Sequence, residues 1–441
     1  MQNALHRQID EALGLDLTPP VSVTQVGSAE LPSCFAVTDL AVSAFRAASV
    51  ELAELIGAHE VVLDRRLAAL WFDMTLRPVG WDLPSAWDAI AGVYRSSDGW
   101  IRLHTNAPHH RDAALRVLDC AADWDAVASV VERWRKTDLE AAIVAGHGAA
   151  AAMHTTDEWA AHPQGRAVAS EPLIDWQQIG AEARPVRIEQ IKVLDLTRVL
   201  AGPVATRFLA GFGAEVLRID PPWWTEPGVE PEVTLGKRRA GLDLTQTNDR
   251  TRFERLLSDA DVLVHGYRPG ALEGLGYGRD RLCRLAPHLI DVSLCAYGWS
   301  GPWADRRGFD SLVQMSCGIA EEGMRRKGAD RPVPLPVQAL DHATGYLMAA
   351  TVLRALRIRN RSGKLMSARL SLARTAALLT SQGSRDFQGA VIEETEDDLD
   401  PSTEPTGWGP ARRLRFPVQM DKKGPNWRHP AGPLRIDPAS W

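Results

Sequence analysis

Between Ile191 and Pro222 the chain reads IKVLDLTRVLAGPVATRFLAGFGAEVLRIDPP, a strand–helix–strand unit with few ways to fold. Val193, Leu194 and Leu196 form the short apolar run of a strand covered on both faces. Ala201-Gly202-Pro203 then opens a helix, since proline suits a first turn in which its missing N–H bonds to nothing anyway. The second strand stops at Pro221 and Pro222. Two strands joined through a helix imply a parallel sheet with a crossover, which commits this part of the chain to an α/β fold. The helix start could hold a phosphate or carboxylate against Ala201 and Gly202, with Arg198 beside them, or could simply make a turn. The G-x-G-x-x-G order of a dinucleotide site is absent, which disfavours a nicotinamide enzyme.

The alternation continues downstream. Strands are expected at Arg239–Leu244, Asp261–His265 and His288–Leu294, with helices at Asp249–Ser258 and Arg279–Leu285 between them. A long helix is expected from Leu340 to about Arg359, followed by a strand at Lys364–Leu372 that leads into another helix. Ligands of open parallel sheets sit beyond the carboxyl ends of the strands, here Arg198–Gly202, Asp220–Trp223, Gly266–Gly270 and Cys295–Gly301. The amino-terminal part is different in kind. It reads as helix over Val37–Trp71, two strands within Trp87–Thr105 joined by a turn at Ser96–Gly99, and a short helix at Thr137–Gly146. AEARPVR, Ala181–Arg187, reads as a linker, and beyond Gln388 the chain turns acidic and then rich in Pro, Arg and Trp, as a partly extended arm. The expected division is therefore 1–185, 186–385 and 386–441.

The 441 residues suffice for two or three domains with sizeable cores, and 45% hydrophobic with 24% charged residues is ordinary for a soluble globular protein. A net charge of -6 offers no bulk attraction for nucleic acid or an anionic membrane, so neither is expected as a partner. Five cysteines (Cys34, Cys120, Cys283, Cys295, Cys317), scattered and without a C-x-x-C pair, point to a reducing cytoplasm and no structural zinc. MQNALHRQIDEALGLDL alternates charge and apolar residues, unlike a secretory signal, and the longest apolar stretches fall short of a membrane span.

Five segments, in order, resemble the class III CoA-transferase family of CaiB/BaiF type, which includes formyl-CoA transferase, carnitine CoA-transferase and α-methylacyl-CoA racemase. They are VLDLTRVLAGPVATRFLAGFGAEVLRIDPP, GKRRAGLDL, ADVLVHGYRPGALEGLG, LIDVSLCAYGWSGPWADRRGFDSLVQMSCG and QALDHATGYLMAATVLRALRIRNRSGK. Together they are far more specific than any one alone. YRSSDGWIRLH, TDLEAAIVAGHGAAAA and DEWAAHPQGRAV resemble the small domain that in most members comes after the large one, whereas here it comes first. The order is permuted, or the chain descends from a duplicated ancestor that lost parts of each copy. The resemblance implies a Rossmann-like parallel-sheet CoA-binding domain with a smaller α+β domain, in an interlocked homodimer. It also implies an acyl-CoA donor and a carboxylic acid acceptor, with coenzyme A as substrate and no permanently bound cofactor.

By position in QALDHATG the family's nucleophile is Asp341. A carboxylate is ionised at neutral pH and can attack a thioester without a base, with Gly345 and the helix start supplying N–H groups to developing charge. Asp341 also reads as a helix cap, and the two roles are compatible. For CoA the resemblance offers Arg198, Leu200 and Ala201 in the first loop, and Leu242, Asp243, Leu244 and Thr245 along the adenine. Gly266, Tyr267 and Arg268 follow at the third strand end, where many relatives have Asn, Phe and Arg, and Cys295, Ala296, Tyr297 and Gly298 at the fourth. Lys237 and Arg238 are candidates for the phosphates or a solvated basic pair. Arg268 reads alternatively as a turn residue and Cys295 as a small apolar filler. Trp223, Trp224, Trp299 and Trp303 have two readings, an acyl pocket or domain packing.

Two departures bear on mechanism. The family's racemase has a Gly-His-Asp segment where this chain has Gly308, Phe309 and Asp310, and phenylalanine cannot exchange a proton. No run of glycines matches the mobile loop of formyl-CoA transferase, so water exclusion is expected from elsewhere. The expected activity is CoA transfer between carboxylic acids through an aspartyl intermediate. The alternatives are an acyl-CoA racemase or isomerase, and a CoA-binding protein without turnover.

Overall fold

A computed structural model describes residues 4–15, 21–179 and 183–441. Its centre is a seven-stranded sheet in the order Arg238–Gly241, Glu215–Asp220, Lys192–Leu196, Val262–His265, Ile290–Cys295, Leu365–Ser371 and Asp175–Ile179. The first six strands run parallel and only Asp175–Ile179 is antiparallel. Val193 to Leu196 is buried on both faces, as the apolar Val193, Leu194 and Leu196 require of a central parallel strand, with Asp195 buried among them. The strand order reverses between Lys192–Leu196 and Val262–His265, which pair Val193 with Val262 and Leu196 with His265. Beyond that switch the two chains diverge to opposite sides and leave a crevice.

The helix Ala339–Ser362 runs through the core, buried almost all round, against the helices Val37–Ile56 and Ala201–Gly211. Close approach to the latter depends on Gly345, because a Cβ there would lie 2.4 Å from the backbone oxygen of Ala201. Contacts therefore cross the boundaries drawn at 185 and 385. The amino-terminal helix belongs to the central core, Asp175–Ile179 is the edge of the large sheet, and Val418–Met420 pairs with Glu60–Asp64. The segment beyond Gln388, expected as a partly extended arm, also contributes the strand Gly409–Arg413, which pairs with Leu76–Pro78. Within the linker, Ala181 and Glu182 lie outside the described residues.

Val37–Trp71 is not continuous helix. Val37–Ile56 ends at Gly57, whose φ of 73° closes it in the left-handed region, and Glu60–Asp64 then forms a strand pairing with Ser22–Val26 before a short helix Arg65–Leu70. The β-branched pair Val61-Val62 favours that strand. The same sequence of parts recurs later as helix Ala339–Ser362, Gly363 at φ 74°, strand Leu365–Ser371 and helix Leu372–Thr380. Asp39 and Asp341 are each the third residue of their long helices, and Asp64 and Ser371 each cap the short helix that follows.

A smaller α+β unit is built from the strands Gly92–Ser96, Gly99–Leu103 and Ala150–Ala152, with a core of Tyr94, Ile101, Leu103, Val131, Leu139 and Ile143. It docks over the carboxyl ends of the large sheet. Arg306 reaches into it, pairing with Glu140 at 2.7 Å and the carbonyl of Ala150 at 2.8 Å, and the Phe309 ring stacks on His104 with centroids 3.7 Å apart. Among the described residues no helix is long and apolar enough to cross a membrane.

Candidate active site

The crevice at the switch point is a cavity of about 300 Å³ whose wall comes from three strand ends, the start of the Ala339 helix and the small unit. The first strand end is fixed by a buried network. Asp195 accepts from Thr197 Oγ1 and Thr206 Oγ1, both at 2.5 Å, from the Thr197 N–H at 2.9 Å and from Lys237 Nζ at 3.1 Å. Gly202 is required where the chain enters its helix, since a Cβ there would lie 2.3 Å from the Thr197 side chain. Val199 is held at φ 65°, unusual for a β-branched residue. The Glu226 carboxylate restrains it by accepting its N–H at 2.8 Å, while also engaging Arg218 and Trp224 Nε1. Pro203 has no N–H and Val204 donates to Leu200, so the N–H groups of Ala201 and Gly202 have no protein acceptor among the described residues. Both residues line the cavity, and free N–H groups at a helix start stabilise an anion or a polarised oxygen.

Asp341 borders the same cavity at 8% exposure, in the first turn of the Ala339 helix. That turn is capped by another residue. One carboxylate oxygen of Asp310 accepts the N–H groups of Leu340 and Asp341 at 2.8 and 2.9 Å, and its other oxygen takes the Gln314 amide. Burial pushes the Asp310 carboxyl up to about 6, against the opposing pull of these hydrogen bonds. Burial, and then the Asp310 carboxylate, hold Asp341 well above the usual aspartate range. The pair thus retains a proton that two exposed aspartates would lose.

Of the residues expected to meet CoA, Arg198, Leu200, Ala201, Gly266, Tyr267, Arg268, Cys295 and Ala296 line this cavity together with Asp341. Arg198 lies over the rings of Trp224, Tyr267 and Trp223, with centroids at 4.9, 5.4 and 5.6 Å. None of Arg198, Arg268 and Arg307 has a carboxylate partner among the described residues, which leaves three guanidinium groups available to an anion. The Cys295 thiol is buried and donates to the Gly298 carbonyl at 3.1 Å, and burial pushes its pKa up, so it is no nucleophile.

Other expected residues lie elsewhere. Lys237 is fully buried in the Asp195 network, with a second bond to the Pro203 carbonyl, and cannot reach a phosphate. Arg238 begins its strand and faces Glu215, at the end of the sheet opposite the crevice. Leu242 and Leu244 pack into the second core with Phe253 and Leu257, while Asp243 and Thr245 close a local turn at the sheet's edge. Tyr297 is buried with its hydroxyl on Ser316, and Gly298 packs against the Glu171 carboxylate. Gly345 lies within its helix against Ala201 and serves close packing instead of offering an N–H to substrate. Trp223 and Trp224 face the cavity, whereas Trp299 donates to the Leu370 carbonyl and Trp303 packs on Tyr297 and His162.

The small unit adds residues that strand-end logic could not find. His109 and His110, at the start of the helix Pro108–Leu118, line the cavity with Arg306, Arg307 and Phe309. Burial lowers both imidazoles, His110 to about 3, so they are neutral. The only hint in the sequence is the Pro108-His109-His110 run itself. No cluster of His, Cys, Asp or Glu suited to a metal ion occurs among the described residues.

The family model described as CoA-transferase family III matches residues 188–408. An acetyl-coenzyme A transferase of Hypoxylon pulicicidum is 36% identical over 194 residues, 42% of this chain and 33% of that protein. A probable fatty acyl-CoA transferase of Mycobacterium tuberculosis is 35% identical over 190 residues, 40% of this chain and 48% of that protein. A succinyl-CoA:glutarate CoA-transferase of Mus musculus is 32% identical over 190 residues, 40% of this chain and 43% of that protein. The chain thus spans from a third to about half the length of the curated relatives it matches.

Proposed function

Because the chain belongs to CoA-transferase family III, we propose that it moves CoA from an acyl-CoA to a second carboxylic acid through a covalent intermediate on Asp341. The observation that carries this is one buried carboxyl group bordering a cavity that is also lined by three guanidinium groups without carboxylate partners among the described residues and by a helix N-terminus. The Asp341 carboxylate attacks the thioester carbonyl and CoA leaves as thiolate, giving a mixed anhydride. The thiolate attacks the aspartyl carbonyl, expelling the donor acid as carboxylate and leaving an aspartyl-CoA thioester. The acceptor carboxylate attacks that thioester, and the returning thiolate takes the new acyl group and frees Asp341. Once Asp341 has lost its proton, every step exchanges a carboxylate and a thiolate and no further proton need move. Ala201 and Gly202 are positioned to receive charge on the carbonyl oxygen, and Arg198 with Arg307 to hold the anionic part of CoA.

Intact-mass measurement after incubation with acyl-CoA, quenched with hydroxylamine or borohydride, tests this. The wild type should carry a modification at Asp341 that Asp341→Ala lacks. CoA binding with no adduct from any donor would leave a binding protein without turnover.

His109 and His110 favour a second reading, because a neutral imidazole across a cavity from a protonatable carboxyl is what α-proton exchange needs. Deuterium entering the α-position of an acyl-CoA without CoA transfer would establish the racemase or isomerase instead. The interlocked homodimer and a cytoplasmic setting belong to the leading reading. Against the dimer stands the internal doubling, in which the Val37 helix already covers the Ala339 helix, as a duplicated ancestor would leave it. Sedimentation decides between the 48.3 kDa chain and twice that mass.

A further inference from the structure

Beyond the Asp341 cavity lies a second chamber of about 190 Å³, between residues 85–88, the end of the strand Gly99–Leu103 and residues 224–229. The two share Val199, Trp224 and Phe309 as wall. Phe309 directly precedes Asp310, whose carboxylate receives the Asp341 N–H, so the wall between the two cavities is tied to the turn that carries Asp341.

Aromatic rings form much of its wall. Phe309 stacks on His104, Trp87 meets His104 edge-on at 6.0 Å, and Trp224 and Pro227 close the opposite side. Its charge is one-sided, since no Lys or Arg lines it. Asp88 and Glu226 do, and both are already engaged, Asp88 by Thr105 Oγ1 at 2.7 Å and Arg111 at 3.3 Å, Glu226 by Arg218 and the Val199 N–H. The His104 ring is buried, and its Nδ1 has no partner. A carboxylate at the far end of an acyl group would meet two carboxylates whose arginine partners are already committed to them, and no Lys or Arg in the lining itself, Arg102 being held over the Trp87 ring at 4.8 Å. The first cavity, by contrast, is lined by Arg198, Arg268, Arg306 and Arg307.

We propose that this chamber is the acyl subsite and that it selects uncharged, ring-sized acyl groups, which makes the substrates monocarboxylic acids and excludes dicarboxylates. An apolar cavity of roughly 150 Å³ suffices for a benzene ring, so the volume fits. The inference rests on the Asp341 transfer reading for which end of the substrate enters.

Calorimetric binding of free CoA, benzoyl-CoA and succinyl-CoA tests it independently of turnover, in the wild type and in Thr225→Arg, which adds a cation at an exposed position on the chamber rim. Benzoyl-CoA should bind at least tenfold tighter than CoA and succinyl-CoA no tighter than CoA, and T225R should narrow the gap between the two thioesters at least tenfold. Equal affinities for the two thioesters in the wild type, or a gap that T225R leaves unchanged, would overturn the acyl assignment alone. Failure of CoA itself to bind would remove the transfer reading and this inference with it.

Discussion

Asp310 and Asp341 meet at one helix N-terminus, where a single carboxylate oxygen of Asp310 holds the backbone N–H of Asp341 at 2.9 Å. Asp310 therefore positions the Asp341 backbone while its charge opposes ionisation of the Asp341 side chain.

Asp310→Asn separates these two effects. The amide oxygen can still accept the helix N–H groups, but the charge is gone. Burial remains the larger reason for the raised Asp341 pKa, so the shift will be partial. The acidic limb of kcat/KM should move to lower pH, because the nucleophile is the ionised form. Asp310→Ala removes the cap as well and should cost about 0.5–2 kcal/mol of stability. An acidic limb unmoved in D310N would mean that Asp341 does not limit the rate by its ionisation.

Gly345→Ala tests whether the Ala201 loop and the Asp341 turn depend on one helix contact. The added methyl would press on the Ala201 carbonyl at 2.4 Å and on Val204 at 2.9 Å, both in a buried interface with nowhere to retreat. Overpacking of this kind costs about 1–3 kcal/mol. Lower thermal stability together with a fall in kcat is expected, and wild-type values for both would show that the two helices can separate at little cost.

The parallel sheet and its switch point were legible because buried parallel strands leave short apolar runs, such as Val193, Leu194 and Leu196, that end in Gly, Pro and Arg. Asp341 was legible only through the resemblance, since an aspartate in a first helical turn is ordinary by itself. Lys237 misled because a basic pair reads as exposed, whereas the side chain folds inward onto Asp195, a residue distant in sequence. Arg238 misled for a geometric reason, in that it opens its strand at the end of the sheet opposite the crevice and there faces Glu215. His109, His110 and the Asp88 loop could not be placed at all, because local pattern does not encode how the small unit docks. The strand Glu60–Asp64 was hidden for a related reason, as its partners Ser22–Val26 and Val418–Met420 are remote from it and from each other.

Arg198 should contribute to CoA affinity through both charge and shape. Its guanidinium lies among Trp223, Trp224 and Tyr267, an arrangement in which a planar cation stacks and an ammonium makes only a point contact. Arg198→Met should weaken CoA binding by roughly 10- to 100-fold, the range for loss of a charged hydrogen bond of about 1.5–3 kcal/mol. Arg198→Lys should recover only part of it. Calorimetry at two salt concentrations checks this, and equal affinity in all three proteins would place the CoA phosphates elsewhere.

Glu232 gives the fold an acid-sensitive joint behind the site. It is wholly buried, receives Thr75 N–H at 2.9 Å, and pairs with Arg207 and, at 3.3 Å, with Arg413. Burial by itself would raise its pKa, but Arg207 and Arg413 outweigh that and bring it down to about 2. A carboxyl depressed below its unfolded value of roughly 4.3 adds stability that is fully present above that value. The contribution disappears as pH falls toward 2. Urea midpoints should therefore decline steeply between about pH 4.5 and 2, and Glu232→Gln should flatten that decline. At neutral pH the same substitution leaves Arg207 buried without its counter-ion and should cost about 3–5 kcal/mol. A Glu232→Gln protein as stable as the wild type at pH 7, or one with the same acid slope, would show that this cluster is not what holds the Ala201 helix to the carboxy-terminal strands.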